Sequence, residues 1–367
     1  MAIERSQNSR VMPLLPDDSA LQHERARQRA PRPLPLFLEL VRQVSADEPE
    51  LARDALAGLR AYEHAPRGAA PPPRPEIARV GVASLRDNGG RGPPALLVPS
   101  LINPPRILDL DPQVSLAAAV ARMGRRAMLL DWGPADERAR LDVAGHVEQL
   151  LLPLLRGIGE PVALIGYCLG GTMAIAAANL IACERVVTLA TPWNFSRYPA
   201  ASLGALANMW RHARAASETL RALPMEVLQA AFWSLDPRRT VRKFAEFGRL
   251  DQHSAEAQRF VALEDWANEG EPLPFPAAKE LIEQIFGGDC PGKGEWKVGG
   301  KAMTDRLAQP LLNLLAEHDR IAPAATGPRG EAIRVESGHV GMIVGSARAA
   351  THSALQRFLD PACRPTG

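Results

Sequence analysis

No charge of one sign dominates this chain. Its 367 residues carry 43 Lys and Arg against 41 Asp and Glu, a formal net charge of +2, and neither half holds a long run of one sign. A basic footprint for nucleic acid is therefore missing. Cysteine is sparse: Cys168, Cys183, Cys290 and Cys363 stand far apart, with no Cys-x-x-Cys pair and no histidine cluster. That spacing excludes a zinc site and a disulfide framework, and no metal or cofactor is expected. A reduced, cytoplasmic setting is the matching expectation. Neither a signal-peptide core at the N-terminus nor any run of about 18 apolar residues is present, so no transmembrane segment is expected. Aromatic residues make up only 5% of the chain.

What is there is 46% hydrophobic, enough to bury a large core. Residues 1–34 are polar and irregular, with Arg25, Arg27, Arg29 and Arg32 among prolines, and read as a flexible tail. Residues 35–75 read as one or two amphipathic helices followed by a stiff linker carrying Pro66, Pro71, Pro72, Pro73 and Pro75. Beyond it, short apolar runs at 78–84, 95–98, 126–131, 162–165, 186–190, 310–316 and 332–336 alternate with helical patterns at 114–123, 143–155, 169–181 and 347–359. This alternation predicts an α/β architecture, a mostly parallel doubly wound sheet. The rhythm breaks between 190 and 309, where helical stretches and Trp193, Trp210, Trp233, Trp266 and Trp296 suggest a cap inserted over the carboxyl ends of the strands. The expected division is thus 76–193 and 310–367 for the core and 194–309 for the cap.

The chemistry gathers on Gly166-Tyr167-Cys168-Leu169-Gly170. It reads as a strand, a tight turn and a helix start, a cysteine version of the nucleophile elbow. A cysteine nucleophile needs a base, and the base an orienting group. Asp319 follows the apolar run ending at Ala316, and His339 follows the next strand between Gly338 and Gly341. The order Cys168, Asp319, His339, with acid and histidine at the ends of late strands, matches α/β-hydrolases. An oxyanion hole would use the Leu169 amide and one from the loop Val98-Pro99-Ser100-Leu101-Ile102-Asn103, Ile102 or its neighbour Leu101. The remaining histidines and Cys183, Cys290 and Cys363 read as surface or packing residues.

These motifs resemble the polyhydroxyalkanoate synthases, closest to the short class III type, within the α/β-hydrolase superfamily. Gly166-Tyr167-Cys168-Leu169-Gly170-Gly171 looks like that family's lipase-like box with cysteine for serine. Pro99-Ser100-Leu101-Ile102-Asn103 with Ile107-Leu108-Asp109-Leu110, Leu130-Asp131-Trp132-Gly133 with Asp136, residues 187–195, and Gly338-His339-Val340-Gly341-Met342 are also similar. The resemblance covers roughly residues 94–359. It implies that Cys168 takes the acyl group of a 3-hydroxyacyl-coenzyme A, that His339 activates the thiol, and that Asp319 supports the histidine or the incoming hydroxyl. Coenzyme A then enters as part of the substrate and not as a cofactor. It further implies a cytoplasmic, granule-associated enzyme, a second noncatalytic subunit and a homodimer as partners. Two departures stand out: Pro104-Pro105-Arg106 replaces a lysine and two aromatic residues, and Arg320 stands where the family commonly has histidine. The same triad would also serve a thioesterase, esterase or polymer depolymerase, and a noncatalytic polymer- or partner-binding relative is a third reading.

Overall fold

A computed structural model describes residues 30–67 and 73–360. The tail reading for residues 1–29, the prolines Pro71 and Pro72 of the linker, and Cys363 lie outside them.

Eight strands form the central sheet: β1 (Glu76–Val80), β2 (Ala83–Asp87), β3 (Pro94–Val98), β4 (Arg126–Asp131), β5 (Ala163–Tyr167), β6 (Arg185–Leu189), β7 (Leu311–Ala316) and β8 (Glu331–Val335). Their order is β1-β2-β4-β3-β5-β6-β7-β8. β2 runs antiparallel to both its neighbours, and every other pair is parallel. This is the α/β-hydrolase arrangement, as expected. One expectation is corrected: the run 78–84 is not a single strand. Gly81 adopts φ +56°, a left-handed conformation that turns the chain back on itself, so the run is split between β1 and β2.

All residues of β3, β5 and β6 are buried, because parallel strands are covered on both faces. Leu96, Val98, Leu164 and Val186 point into one core with the helical stretch 143–158. Ala95, Leu97, Ile165 and Val187 point into the other, against α3 (Leu116–Arg122) and the C-terminal helix Arg348–Leu359. Alternation along each strand assigns side chains to the two cores.

Two helices precede the sheet, α1 (Leu34–Ser45) and α2 (Pro49–His64). After β5 comes α4 (Leu169–Ala178). Between β6 and β7 the chain builds α5 (Ala200–Leu220), α6 (Met225–Ser234), α7 (Pro237–Gly248) and α8 (Ala255–Asn268), with further short helices. The amphipathic faces of α1 and α2 pack on this insertion and not on the sheet. Phe37, Val41, Leu59 and Tyr62 share a third core with Trp233, Phe244, Phe247 and Val261. Phe37 and Phe244 meet edge to face, with ring centroids 4.7 Å apart. None of the helices among the described residues is long and apolar enough to cross a membrane.

Candidate active site

Cys168 sits between β5 and α4 at φ 55° and ψ −131°, a conformation that L-residues rarely adopt. Close packing enforces it. A Cβ on Gly166 would collide with the backbone of Gly171, and one on Gly170 with the carbonyls of Val98 and Pro99. The Cys168 amide donates to the Leu189 carbonyl at 2.9 Å, tying the turn to β6. A turn this sharp lifts the side chain out of the sheet onto its carboxyl edge.

Asp319 and His339 come to the same edge from the loops after β7 and β8. Asp319 Oδ1 accepts the amides of Ile321 and Ala322, both at 2.8 Å, which fixes the carboxylate within its own turn. Its other oxygen takes the His339 Nδ1 proton at 2.6 Å. That contact sets the tautomer and leaves Nε2 for Cys168. Burial disfavours a charged imidazole here, but the charges of Asp319 and Cys168 outweigh it and raise His339 to about 10. Tyr167 lies beside that ring, its centroid 5.1 Å away, and its hydroxyl reaches the His339 carbonyl at 3.4 Å.

Burial has the opposite effect on the other cysteines. It pushes the Cys183 and Cys290 thiols up to about 12, so both stay protonated. All three described cysteines are free thiols.

Leu169 is the first residue of α4, where amides have no acceptor within the helix. Ile102 and Leu169 both line the cavity of about 120 Å³ that opens at Cys168. Its other walls are mostly apolar side chains, among them Tyr198, Met209, Phe232 and Phe286. Leu101 does not reach this cavity and lines a separate polar cleft, which Ile102 also borders. Among the described residues the Ile102 amide has no protein acceptor. The cavity shares Tyr198, Leu206, Phe232 and Ile321 with a groove of about 360 Å³ between α5 and α6, which ends beside Arg320. Arg320 donates to the Leu235 carbonyl at 3.1 Å and pairs with Asp236 at 3.0 Å, linking the Asp319 loop to the cap. Arg106 pairs with Glu269 at 2.8 Å.

Sequence reasoning missed the aromatic walls and the polar groups behind the 99–105 loop. Tyr198 and Phe286 sit in the insertion without periodic placement, so no local signal marks them. Trp132 lies within the Leu130-Asp131-Trp132-Gly133 motif and Arg138 just beyond it, and that motif was the available pointer. Among the described residues no group of three His, Cys, Asp or Glu side chains could hold a metal ion.

No protein-family model matches the chain. It is 26% identical over 283 residues to a protein of Haloferax mediterranei named poly(3-hydroxyalkanoate) polymerase subunit PhaC, covering 69% of this chain and 55% of that one. Proteins of the same name from Synechocystis sp. and Allochromatium vinosum are 26% and 24% identical, over 73% of this chain and 76% and 80% of theirs. The chain spans little more than half the length of the first curated relatives it matches. These matches bear out the resemblance to the polyhydroxyalkanoate synthases. Among solved structures, a hydrolase from Pseudomonas aeruginosa PA01 is 17% identical, covers 78% of this chain and 98% of that one, and has a TM-score of 0.41.

Proposed function

We propose that the chain is an acyltransferase of polyhydroxyalkanoate synthase type, polymerising 3-hydroxyacyl units delivered as coenzyme A thioesters. The observation that carries this reading is a cysteine on a strained elbow, joined through His339 to Asp319, at the floor of an apolar cavity. Cys168 sulfur attacks the thioester carbonyl carbon, and the carbonyl oxygen, now an oxyanion, lies between the amides of Leu169 and Ile102. Collapse breaks the bond to the coenzyme A sulfur, which takes the proton held on His339. The acyl group is left as a thioester on Cys168.

His339, now neutral, accepts the proton of an incoming hydroxyl as that oxygen attacks the enzyme thioester. The new ester forms as the acyl carbon–sulfur bond breaks and releases the Cys168 sulfur, which with the proton on His339 restores the starting pair. A thioester preserves the acyl group's activation for this second transfer, and apolar walls keep water from competing for it. The reading calls for no cofactor and no metal. By the family resemblance alone, it extends to a polymer granule, a second subunit and a homodimer as partners.

A second reading, hydrolysis of a thioester, ester or polymer by the same residues, is favoured by Arg320 in place of the family's common histidine. Incubation with 3-hydroxybutyryl-coenzyme A separates the two. Insoluble polymer together with free coenzyme A supports the synthase; monomeric acid alone sinks it.

A further inference from the structure

The loop that carries Ile102 is held from behind, carbonyl by carbonyl. Trp132 Nε1 donates to the Pro99 carbonyl at 3.1 Å, the Glu271 amide to that of Ile102 at 3.2 Å, and Trp266 Nε1 to that of Pro104 at 2.9 Å. Arg138 takes the carbonyl between them, with Nη2 3.3 Å from the Leu101 oxygen. This last contact matters most, because the Leu101 C=O and the Ile102 N–H belong to one planar trans peptide and point in opposite directions. Arg138 and Leu101 line the polar cleft and not the apolar cavity, Cys168 lines the cavity and not the cleft, and Ile102 stands at the boundary and borders both. Drawing the carbonyl towards the cleft turns the amide towards the cavity.

Arg138 is itself fixed. It is 4% exposed, and Nε donates to the Gly133 carbonyl at 3.1 Å. Nη1 lies 3.1 Å from His146 Nε2, while His146 Nδ1 lies 2.6 Å from the Asp142 carbonyl. A carbonyl only accepts, so Nδ1 carries the ring proton and Nε2 is the bare acceptor for Arg138. Glu271 balances the guanidinium at 3.5 Å. A connected set of polar groups, buried at His146 and Arg138, thus runs from the Asp142 carbonyl to the Leu101–Ile102 peptide.

We propose that Arg138 is a positioning residue for the acyl-transfer reaction: it sets the orientation of the Leu101–Ile102 peptide and thereby aims the Ile102 amide at the oxyanion formed on attack by Cys168. The proposal rests on the acyl-transfer reading of the Cys168 site. It makes a distinction that a general loss of structure would not. Acylation by a thioester passes through an oxyanion, whereas alkylation by iodoacetamide displaces iodide at a saturated carbon and forms none.

The test measures both rates on Cys168 by mass spectrometry, using 3-hydroxybutyryl-coenzyme A in single turnover and iodoacetamide, in wild type, Arg138→Gln and Arg138→Lys. Loss of one oxyanion donor costs about 100- to 1,000-fold. The expected result is an acylation rate lowered about tenfold or more in Arg138→Gln, within that ceiling, partly recovered in Arg138→Lys, with alkylation unchanged. Equal acylation in wild type and both variants overturns the positioning role alone. A parallel fall of both reactions in both variants overturns it in favour of a structural role. Absence of any acyl adduct on Cys168 in wild type overturns the acyl-transfer reading, and this proposal with it.

Discussion

Gly58 and Gly248 face each other where α2 crosses α7: a Cβ on Gly248 would lie 2.9 Å from the Gly58 Cα, and a Cβ on Gly58 would run into the Phe244 carbonyl. The two backbones touch without intervening side chains. Since α7 belongs to the insertion and α2 precedes the sheet, this contact bolts the N-terminal helices to the cap that covers Cys168. Gly58→Ala therefore overpacks backbone against backbone, a change that costs about 1–3 kcal/mol. Urea denaturation should show a lower midpoint for Gly58→Ala than for wild type, and an unchanged midpoint would mean that the helices separate freely.

The triad makes a graded prediction. Cys168→Ala should abolish acyl-enzyme formation. Asp319→Asn leaves the site's shape intact but presents an amide where His339 Nδ1 needs an acceptor, so acylation should fall by roughly 100-fold or more. Acyl-coenzyme A turnover that persists at the wild-type rate in Cys168→Ala would remove the cysteine from the mechanism.

Thiol labelling gives an independent check. With Cys183 and Cys290 pushed up to about 12 by burial, iodoacetamide at neutral pH should modify Cys168 first. Peptide mapping after brief exposure reads this directly, and equal labelling of the three would contradict it.

His339 should confer a definite pH dependence. Its pKa rises from the ordinary 6.5 to about 10 in the folded protein, so between those values the folded state holds a proton that the unfolded chain has released. The resulting stability is fully present below 6.5 and is lost as pH climbs through 10. The stability advantage of wild type over His339→Gln should accordingly shrink from neutrality upward, measured by denaturation at a series of pH values. NMR titration should also find a lower His339 midpoint in Cys168→Ala, because one of the charges that raise it is gone. An unmoved midpoint would exclude the sulfur as a partner.

Buried His146 has the opposite sign. Burial, assisted by the nearby Arg138 charge, lowers it to about 4 despite its bond to the Asp142 carbonyl. The unfolded chain then binds the extra proton, and stability falls as pH drops from 6.5 towards 4. His146→Gln should lose less stability than wild type over that interval, and parallel curves would show that His146 takes no part in it.

The Arg320–Asp236 pair is exposed on the arginine side, and such pairs contribute about 0–1 kcal/mol. Arg320→His should therefore leave the denaturation midpoint nearly unchanged. If Arg320 is what turns this site from polymerisation to hydrolysis, the variant should give more polymer per coenzyme A released. An unchanged product ratio would discharge Arg320 from that role.

Much of this protein follows from local sequence pattern. Fully buried strands such as β3 and β5 read as short apolar runs, and the glycines around Cys168 mark a place where backbones pass within contact distance. The order Cys168, Asp319, His339 at strand ends is a one-dimensional trace of topology, so a linear reading can find it. The reading of 78–84 as one strand failed because apolar residues flank Gly81 on both sides, and periodicity does not register a turn within the run. The amphipathic faces of α1 and α2 were legible, but an apolar stripe does not name its partner; only packing against α7 and α8 showed that they support the cap. Likewise Arg138 and Leu101 lie 37 positions apart, and no spacing rule links a guanidinium to one backbone carbonyl at that distance. The sequence by itself determined which residues could react. The tertiary structure decided how the peptide at Ile102 is turned and what walls surround Cys168, because peptide orientation and cavity shape arise from contacts between segments remote along the chain.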